Sequence, residues 1–208
     1  MTIDSKRAPR GQGRETLLGA AQRLIARDGA NAVTVRGVAR EAGLSIPLIS
    51  YYFAGRAGLI EEAFDAHVSR VETLAERVTT TGRRGIEAGL RAVFADRSHV
   101  LVRHELHIEA ARSGIYGVPF HRSRSAMSRI VSAGLHASGH STETRRTARG
   151  AMAELESIAM TTAVEHSDDG LYTAAMIAYL GVTFGDVRGP SGPASSSKKS
   201  ASGTHLCP

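Results

Sequence analysis

The chain has 208 residues, of which 42% are hydrophobic and 22% charged, as in a globular protein with one sizeable core or a small domain joined to a larger one. No apolar run approaches the roughly 20 residues that a membrane-spanning helix needs, and the polar start MTIDSKRAPRGQGR lacks the apolar centre of a secretory signal. The single cysteine, Cys207, excludes an internal disulfide framework and a cysteine-cluster metal site, so we expect a cytoplasmic protein.

Positive charge is concentrated at the start of the chain. Residues 1–60 carry nine Lys and Arg residues against four Asp and Glu residues, so +5 of the net charge of +6 lies there. A basic end on a near-neutral body favours a polyanionic partner, either nucleic acid or an anionic membrane surface.

The first 60 residues contain three predicted helices. The segment RETLLGAAQRLIARDG has apolar residues at helical spacing and ends at Gly29. VTVRGVAREAGLS begins a second helix with Thr34 as its N-cap and ends it at Gly43. SIPLISYYF begins a third, with Ser45 as cap and Pro47 in its first turn. Two short helices joined by a tight glycine turn form a helix-turn-helix, whose second helix can enter a DNA major groove.

Residues 14–60 resemble the DNA-binding domain of the TetR family of transcriptional repressors. The matching elements are a first helix ending in Asp28-Gly29, then TVRGVAREAGLS, then LISYYFAGRAGLI. The family patterns are T-x-x-x-I-A-x-x-A-G-V-S and L-Y-x-H-F-x-x-K-x-x-L. Ser50, Tyr52 and Arg56 replace a frequent Tyr, His and Lys, and they retain hydroxyl groups and a positive charge.

The resemblance implies a set of DNA-contacting residues with two roles. Thr34, Tyr52 and Arg56 match positions that clamp the phosphate backbone, and the remainder lie at or near the groove. Arg36 is the best candidate to contact a guanine edge. In the alternative interpretation, Tyr51 and Tyr52 pack within the small domain and Arg36 is a solvated surface charge. The complete set is Thr34, Arg36, Ser45, Ile46, Pro47, Leu48, Ser50, Tyr51, Tyr52 and Arg56.

The rest of the chain predicts a helical body and a tail. A long helix begins at Gly58, a break falls around Gly82, and further helices are predicted at 84–97, 99–113, 119–138, 142–166 and 169–186. Some of the glycines within these helices are expected to permit close helix approach: Gly89, Gly134, Gly150 and Gly181. The expected domains are a flexible basic arm (1–13), the helix-turn-helix domain (14–60), an effector-binding and dimerisation domain (61–187) and a disordered tail (188–208).

Within the segment SHVLVRHELHIEAARSGIYG, the string HIEAAR resembles body sequences of the family's repressors, in which this helix lines the effector cavity. The string HELH lacks the HExxH spacing of zinc proteases, so we predict no metal site, and no cofactor is predicted. For each apolar candidate, an ordinary core position is the alternative. The candidate effector-binding residues are Leu101, His104, His107, Ile108, Met127 and Met152.

The last two predicted helices, ARGAMAELESIAMTTAVEH and GLYTAAMIAYLGVTFGDV, are apolar over much of their circumference. Such helices are buried on more than one side, and a partner subunit supplies the second side in a four-helix interface. The sequence therefore predicts an all-α, two-domain, homodimeric repressor that binds a palindromic DNA operator and is released by a small-molecule effector. The alternatives are a constitutive DNA-binding protein without an effector and an all-helical enzyme. No nucleophile–base pair, phosphate loop or cofactor motif supports an enzyme, and no catalytic residue is predicted.

Overall fold

The computed structural model describes residues 12–137 and 144–184, and every regular element in those ranges is helical. The all-α prediction is therefore confirmed. The predicted tail and all but the last two residues of the predicted basic arm lie outside the described residues. The elements, in chain order, are α1 (Gly13–Asp28), a 3₁₀ turn (Ala30–Ala32), α2 (Val35–Ala42), α3 (Ile46–Tyr52), α4 (Gly55–Phe94), α5 (Arg97–Ser113), α6 (Gly117–Ala137), α7 (Thr144–Glu165) and α8 (Asp169–Phe184).

Local chemistry explains where α2 and α3 begin and end. The Thr34 hydroxyl accepts a hydrogen bond from the backbone N–H of Gly37 at 3.0 Å, which confirms Thr34 as a side-chain cap. Gly43 ends α2 with a φ of 65°, a left-handed conformation that glycine adopts without strain. Ser45 occupies the N-cap position of α3, as predicted, although its side chain makes no capping hydrogen bond.

Helix α4 folds back on itself. A Cβ placed on Gly89 would lie 2.6 Å from Cγ2 of Val78, although eleven residues of straight helix would separate these positions by about 16 Å. Val71 also lines one small cavity together with Val93. The two arms of α4 are therefore antiparallel neighbours, and the reversal lies between Val78 and Gly89. The predicted break around Gly82 falls in this interval, even though helical backbone is assigned throughout.

Two hydrophobic cores share the first arm of α4. Its early residues, including Phe64 and Val68, pack with α1, α2 and α3, and Val102 and Leu106 of α5 join the same cluster. From Val71 onward the helix belongs to a second core that also contains residues of α6, α7 and α8. The first arm of α4 and helix α5 thus connect the helix-turn-helix region to the body.

The glycines of the body serve different purposes. A Cβ on Gly134 would meet the Phe184 ring at 3.1 Å and Leu90 at 3.2 Å, so Gly134, like Gly89, permits close helix packing. A Cβ on Gly150 would meet nothing within 4 Å. Gly181 is helical, and its packing lies outside the described part of the structure. Within the described residues, no helix combines the length and apolar character needed to cross a membrane.

Candidate nucleic-acid interface

Helix α3 presents a continuous exposed face. Ile49 is buried against the small core, whereas Ile46, Pro47, Ser50 and Tyr51 point to the opposite side and are exposed. These four residues recur at helical spacing, so they form one surface. The surface is exposed, and its predicted entry into a groove of DNA stays a prediction.

The two adjacent tyrosines have different environments. Tyr51 is 79% exposed, while Tyr52 is half-buried and lies against the start of α1 near Gly13. Their rings meet edge to face with centroids 4.9 Å apart. Tyr51 is thus free to contact DNA, and Tyr52 has a packing role within the small domain as well. Leu48 is also half-buried and approaches Gly13, which turns most of it away from the α3 surface.

Most arginines of the helix-turn-helix region already have partners. Three form ion pairs with carboxylates, and these pairs are Arg14 with Glu62, Arg23 with Glu41, and Arg27 with Asp28. Arg36 and Arg40 are exposed on α2, one helical turn apart, and neither makes a hydrogen bond or close ion pair within the described part of the chain. The positive charge available to a polyanion at α2 is therefore that of Arg36 and Arg40. Arg40 was not in the predicted set.

Arg56 binds the protein's own backbone. Its Nε donates to the Val33 carbonyl at 2.6 Å, and its Nη2 donates to the carbonyls of Ala30 at 2.8 Å and Asn31 at 3.1 Å. Arg56 thereby ties the start of α4 to the 3₁₀ turn that precedes α2. Its predicted contact with a phosphate stays a prediction, and the structure adds a structural role that sequence patterns could not reveal.

The opposite end of the same turn is held by the body. The Glu105 carboxylate accepts a hydrogen bond from the backbone N–H of Ala30 at 3.0 Å, and the Asn31 side chain donates to Glu109 at 3.4 Å. Both acidic residues lie on α5. The 3₁₀ turn between α1 and α2 is therefore fixed by Arg56 on one side and by α5 on the other.

The candidate effector residues are only partly brought together. Met127 and Met152 are fully buried in the body core, Leu101 is half-buried, and Ile108 is 40% exposed. His104 and His107 lie side by side with ring centroids 5.7 Å apart, and Nδ1 of His104 is bonded to the Val100 carbonyl at 2.8 Å. No group of three or more His, Cys, Asp or Glu side chains in the described ranges is arranged to hold a metal ion.

Next to these histidines lies a buried polar cluster that sequence reasoning missed. Arg103 is completely buried, and its Nη1 donates to the Val93 carbonyl at 2.9 Å. Its Nε lies 4.0 Å from Oε1 of Glu156, and Arg124 lies 3.5 Å from the other oxygen of that carboxylate. The Arg124 guanidinium stands over the Phe120 ring, which in turn packs edge to face against His107.

Burial controls the charges of this cluster. Burial lowers the pKa of Arg103 to about 10, so the guanidinium is charged at neutral pH. Burial, reinforced by the positive charges of Arg103 and Arg124, lowers the pKa of His107 to about 3, so that imidazole is neutral. Burial likewise lowers the pKa of His104. Two cations therefore face the single anion Glu156.

Residues 17–63 match the sequence profile described as bacterial regulatory proteins, tetR family. No curated protein has a significantly similar sequence. Among solved structures, a protein assigned as a TetR-family transcriptional regulator from Rhodococcus sp. has a similar fold, with 23% identity and a TM-score of 0.59 over 83% of this chain and 98% of that one. A transcriptional regulator from Rhodococcus sp. Rha1 has 20% identity and a TM-score of 0.62, over 84% of this chain and 95% of that one. The fatty acid degradation regulator FadR from Bacillus halodurans has 15% identity and a TM-score of 0.62, over 87% of this chain and 99% of that one.

These structural likenesses, all under 25% identity, establish the fold over most of the chain. The profile match covers α2 and α3 and most of α1, the elements that form the exposed recognition surface. Residues 17–63 therefore form a helix-turn-helix DNA-binding domain of the tetR family of bacterial regulatory proteins.

Proposed function

We propose that this regulator is a ligand-responsive repressor, which binds a palindromic operator as a homodimer and is released when a small molecule occupies the body. The observation that carries the proposal is the hydrogen bond between Glu105 of α5 and the backbone of Ala30. Through it, any displacement of α5 reaches the turn that precedes the helix-turn-helix. A ligand that binds one position of α5 better than another shifts DNA affinity by that difference.

On the DNA side, the α3 surface enters the major groove and α2 approaches the backbone. Thr34 and Tyr52 carry hydroxyls that can donate to phosphate oxygens, and the Thr34 hydroxyl uses only its acceptor capacity in the helix cap. Arg36 reads a base and Arg40 adds a phosphate contact. Both arginines suit these roles because they are exposed and uncommitted to other side chains.

The dimer forms through α7 and α8. In the structure, Leu155, Ala159 and Tyr172 of these helices are buried in the chain's own core. The outward side remains rich in small and apolar residues, which favours close packing of a second copy against it. The exposed members are Ala153, Ser157, Thr161 and Val164 on α7, and Leu171, Ala174 and Ala178 on α8.

The proposal is tested with purified full-length protein. An operator is selected from a randomised duplex library, and small molecules are screened by thermal shift. We expect at least one compound that raises the melting temperature and also weakens operator binding in fluorescence anisotropy. Analytical ultracentrifugation is expected to show a dimer at micromolar concentration, and a monomer would contradict the operator geometry.

A constitutive DNA-binding protein is the second candidate, and the dense packing of Met127 and Met152 favours it. Stabilising compounds that leave operator affinity unchanged would support that candidate and overturn the proposed response to a ligand. An enzyme is the third alternative, and turnover of a stabilising compound would reveal it.

A further inference from the structure

The cluster around Arg103 contains buried polar atoms without partners. Nε and Nη2 of Arg103, Nε2 of His107 and Oε1 of Glu156 have no hydrogen-bond partner among the described residues. Buried polar groups are almost always paired, because an unpaired donor or acceptor loses its hydration without compensation. Four such atoms on the neighbouring helices α5 and α7 indicate a site that receives a polar group from outside the chain.

The two free nitrogens of Arg103 define the shape of that group. With Nη1 bonded to the Val93 carbonyl, the free Nε–H and Nη2–H groups share one edge of the guanidinium. This edge presents two parallel donors with the spacing of a carboxylate's two oxygens. The Glu156 carboxylate does not fill it, because its oxygen lies 4.0 Å from Nε, beyond hydrogen-bond distance.

The charge balance of the cluster favours a single negative charge. Arg103 and Arg124 contribute two positive charges, Glu156 contributes one negative charge, and the neighbouring His104 and His107 are neutral. A ligand with one negative charge neutralises the remaining cation.

We propose that the Arg103 cluster is the effector site of the repressor and that its effector is a small monocarboxylate, held by two parallel hydrogen bonds from Arg103. The role of this ligand as an effector rests on the proposed function, whereas the predicted carboxylate binding rests on the Arg103 cluster alone. Phe94, which lies 5.3 Å from the Arg103 guanidinium, and Phe120 provide apolar surface for the remainder of the ligand.

The closed packing links binding to movement. Arg103 is completely buried. The small cavity that it lines, about 10 Å³ or room for one water molecule, is bounded by Val93 and His99 and not by Glu156 or Phe120. A carboxylate with a hydrocarbon tail fits only when α5 separates from the neighbouring helices. Because Glu105 follows Arg103 by two residues on α5, this separation acts on the hydrogen bond to Ala30.

The test compares acids with their amides, which have nearly the same shape and no charge. Acetate, butyrate, octanoate and benzoate are titrated against the full chain by calorimetry and thermal shift at constant ionic strength, beside the four primary amides. We expect saturable binding of at least one carboxylate and none of its amide. Equal binding of an acid and its amide, or no binding of any acid, would overturn the inference.

Variants locate the site. Arg103→Lys keeps the charge but loses the paired donors, so it should weaken carboxylate binding by about tenfold or more, as expected for a charge-assisted hydrogen bond. Arg91→Lys, at a surface ion pair with Glu87, is the matched control and should bind as the wild type does. Unchanged binding by Arg103→Lys would contradict the assignment.

A second variant keeps the assignment testable if Arg103→Lys does not fold. Glu156→Gln removes the competing anion, so it should strengthen carboxylate binding several-fold, and weaker binding would contradict the site.

Operator release is measured separately. A carboxylate that binds at Arg103 without releasing DNA supports the site and refutes the repressor mechanism, whereas release by another class of compound alone refutes the carboxylate and leaves the repressor.

Discussion

Glu105 and Ala30 are 75 residues apart in the sequence, and the Glu105 carboxylate caps the N–H of Ala30 at the start of the 3₁₀ turn. A carboxylate is well placed there, because the unpaired N–H groups of a helical turn attract negative charge. This single contact joins the body helix α5 to the segment that leads into the helix-turn-helix.

The first prediction concerns this link. Glu105→Ala should lower the free energy of unfolding by about 1–3 kcal/mol, the usual effect of leaving a half-buried N–H without its charged partner. It should also reduce the effect of any stabilising compound on operator affinity, measured by anisotropy with and without the compound. Glu109→Ala, which removes the 3.4 Å contact to Asn31 and an ion pair with Arg112 on the same helix, is the control and should retain most of the coupling. If a compound changes operator affinity as much in Glu105→Ala as in the wild type, the contact between Glu105 and Ala30 does not transmit the effect.

The second prediction separates base recognition from phosphate contact. Arg36→Ala should relax sequence preference at one operator position by about 1–3 kcal/mol, and Arg40→Ala should weaken binding to all sequences and reduce the salt dependence by about one unit of slope. Arg23→Ala is the control, because Arg23 is paired with Glu41. Selection on a randomised operator library measures both effects. Unchanged affinity and unchanged sequence preference in Arg36→Ala would show that Arg36 does not contact a base.

The third prediction concerns two helical glycines. Gly89→Ala should destabilise the fold by about 1–3 kcal/mol, because its Cβ would collide with the stiff Val78 side chain. Gly150→Ala lies in open space within α7 and should stabilise the protein by up to about 1 kcal/mol. Denaturant titrations measure both changes. Equal effects of the two substitutions would show that the arms of α4 do not pack as described.

The fourth prediction concerns dimerisation. Ala178 is exposed on α8, whereas Ile177 is half-buried against the chain's own core, so Ala178→Asp tests the interface without disturbing the fold. The buried charge should convert the dimer to a monomer and weaken operator binding. Analytical ultracentrifugation measures the change, with unchanged circular dichroism as the folding control. A dimer as stable as the wild type would place the interface elsewhere.

The fifth prediction concerns acid stability. Burial lowers the pKa of His107 to about 3 and holds the pKa of His67 well below its ordinary value. Below about pH 6.5 these histidines become protonated in the unfolded chain but stay neutral in the folded protein. As the pH decreases, the free energy of unfolding therefore falls by up to about 1.4 kcal/mol per pH unit for each histidine. Denaturation between pH 7 and 5 should show a smaller slope in His107→Gln than in the wild type. The exposed control His136→Gln should retain the wild-type slope, and equal slopes in both variants would contradict the burial of a neutral His107.

The sequence was sufficient for features that depend on neighbouring residues. Thr34, Gly43 and the apolar spacing of α1 mark the helix boundaries, because capping and periodicity are local. The roles of Arg56 and Glu105 depend on contacts across the fold, and in the sequence both resemble ordinary surface charges. Arg103 was equally hidden, since an arginine in a charged helix is normally solvated and only the packing of α4, α6 and α7 around it makes it buried.

The reversal in α4 also has a mechanical consequence. The arm from Gly55 to Val78 is about 36 Å long, with its far end in the body core and its near end in the core that supports α3. Under the proposed repressor mechanism, such an arm acts as a lever. A tilt of about 5° around the body end displaces the recognition end by about 3 Å, close to the spacing of ~3.4 Å between successive base pairs. In a dimer, a rotation of that size in each subunit would move two recognition helices out of register with consecutive major grooves.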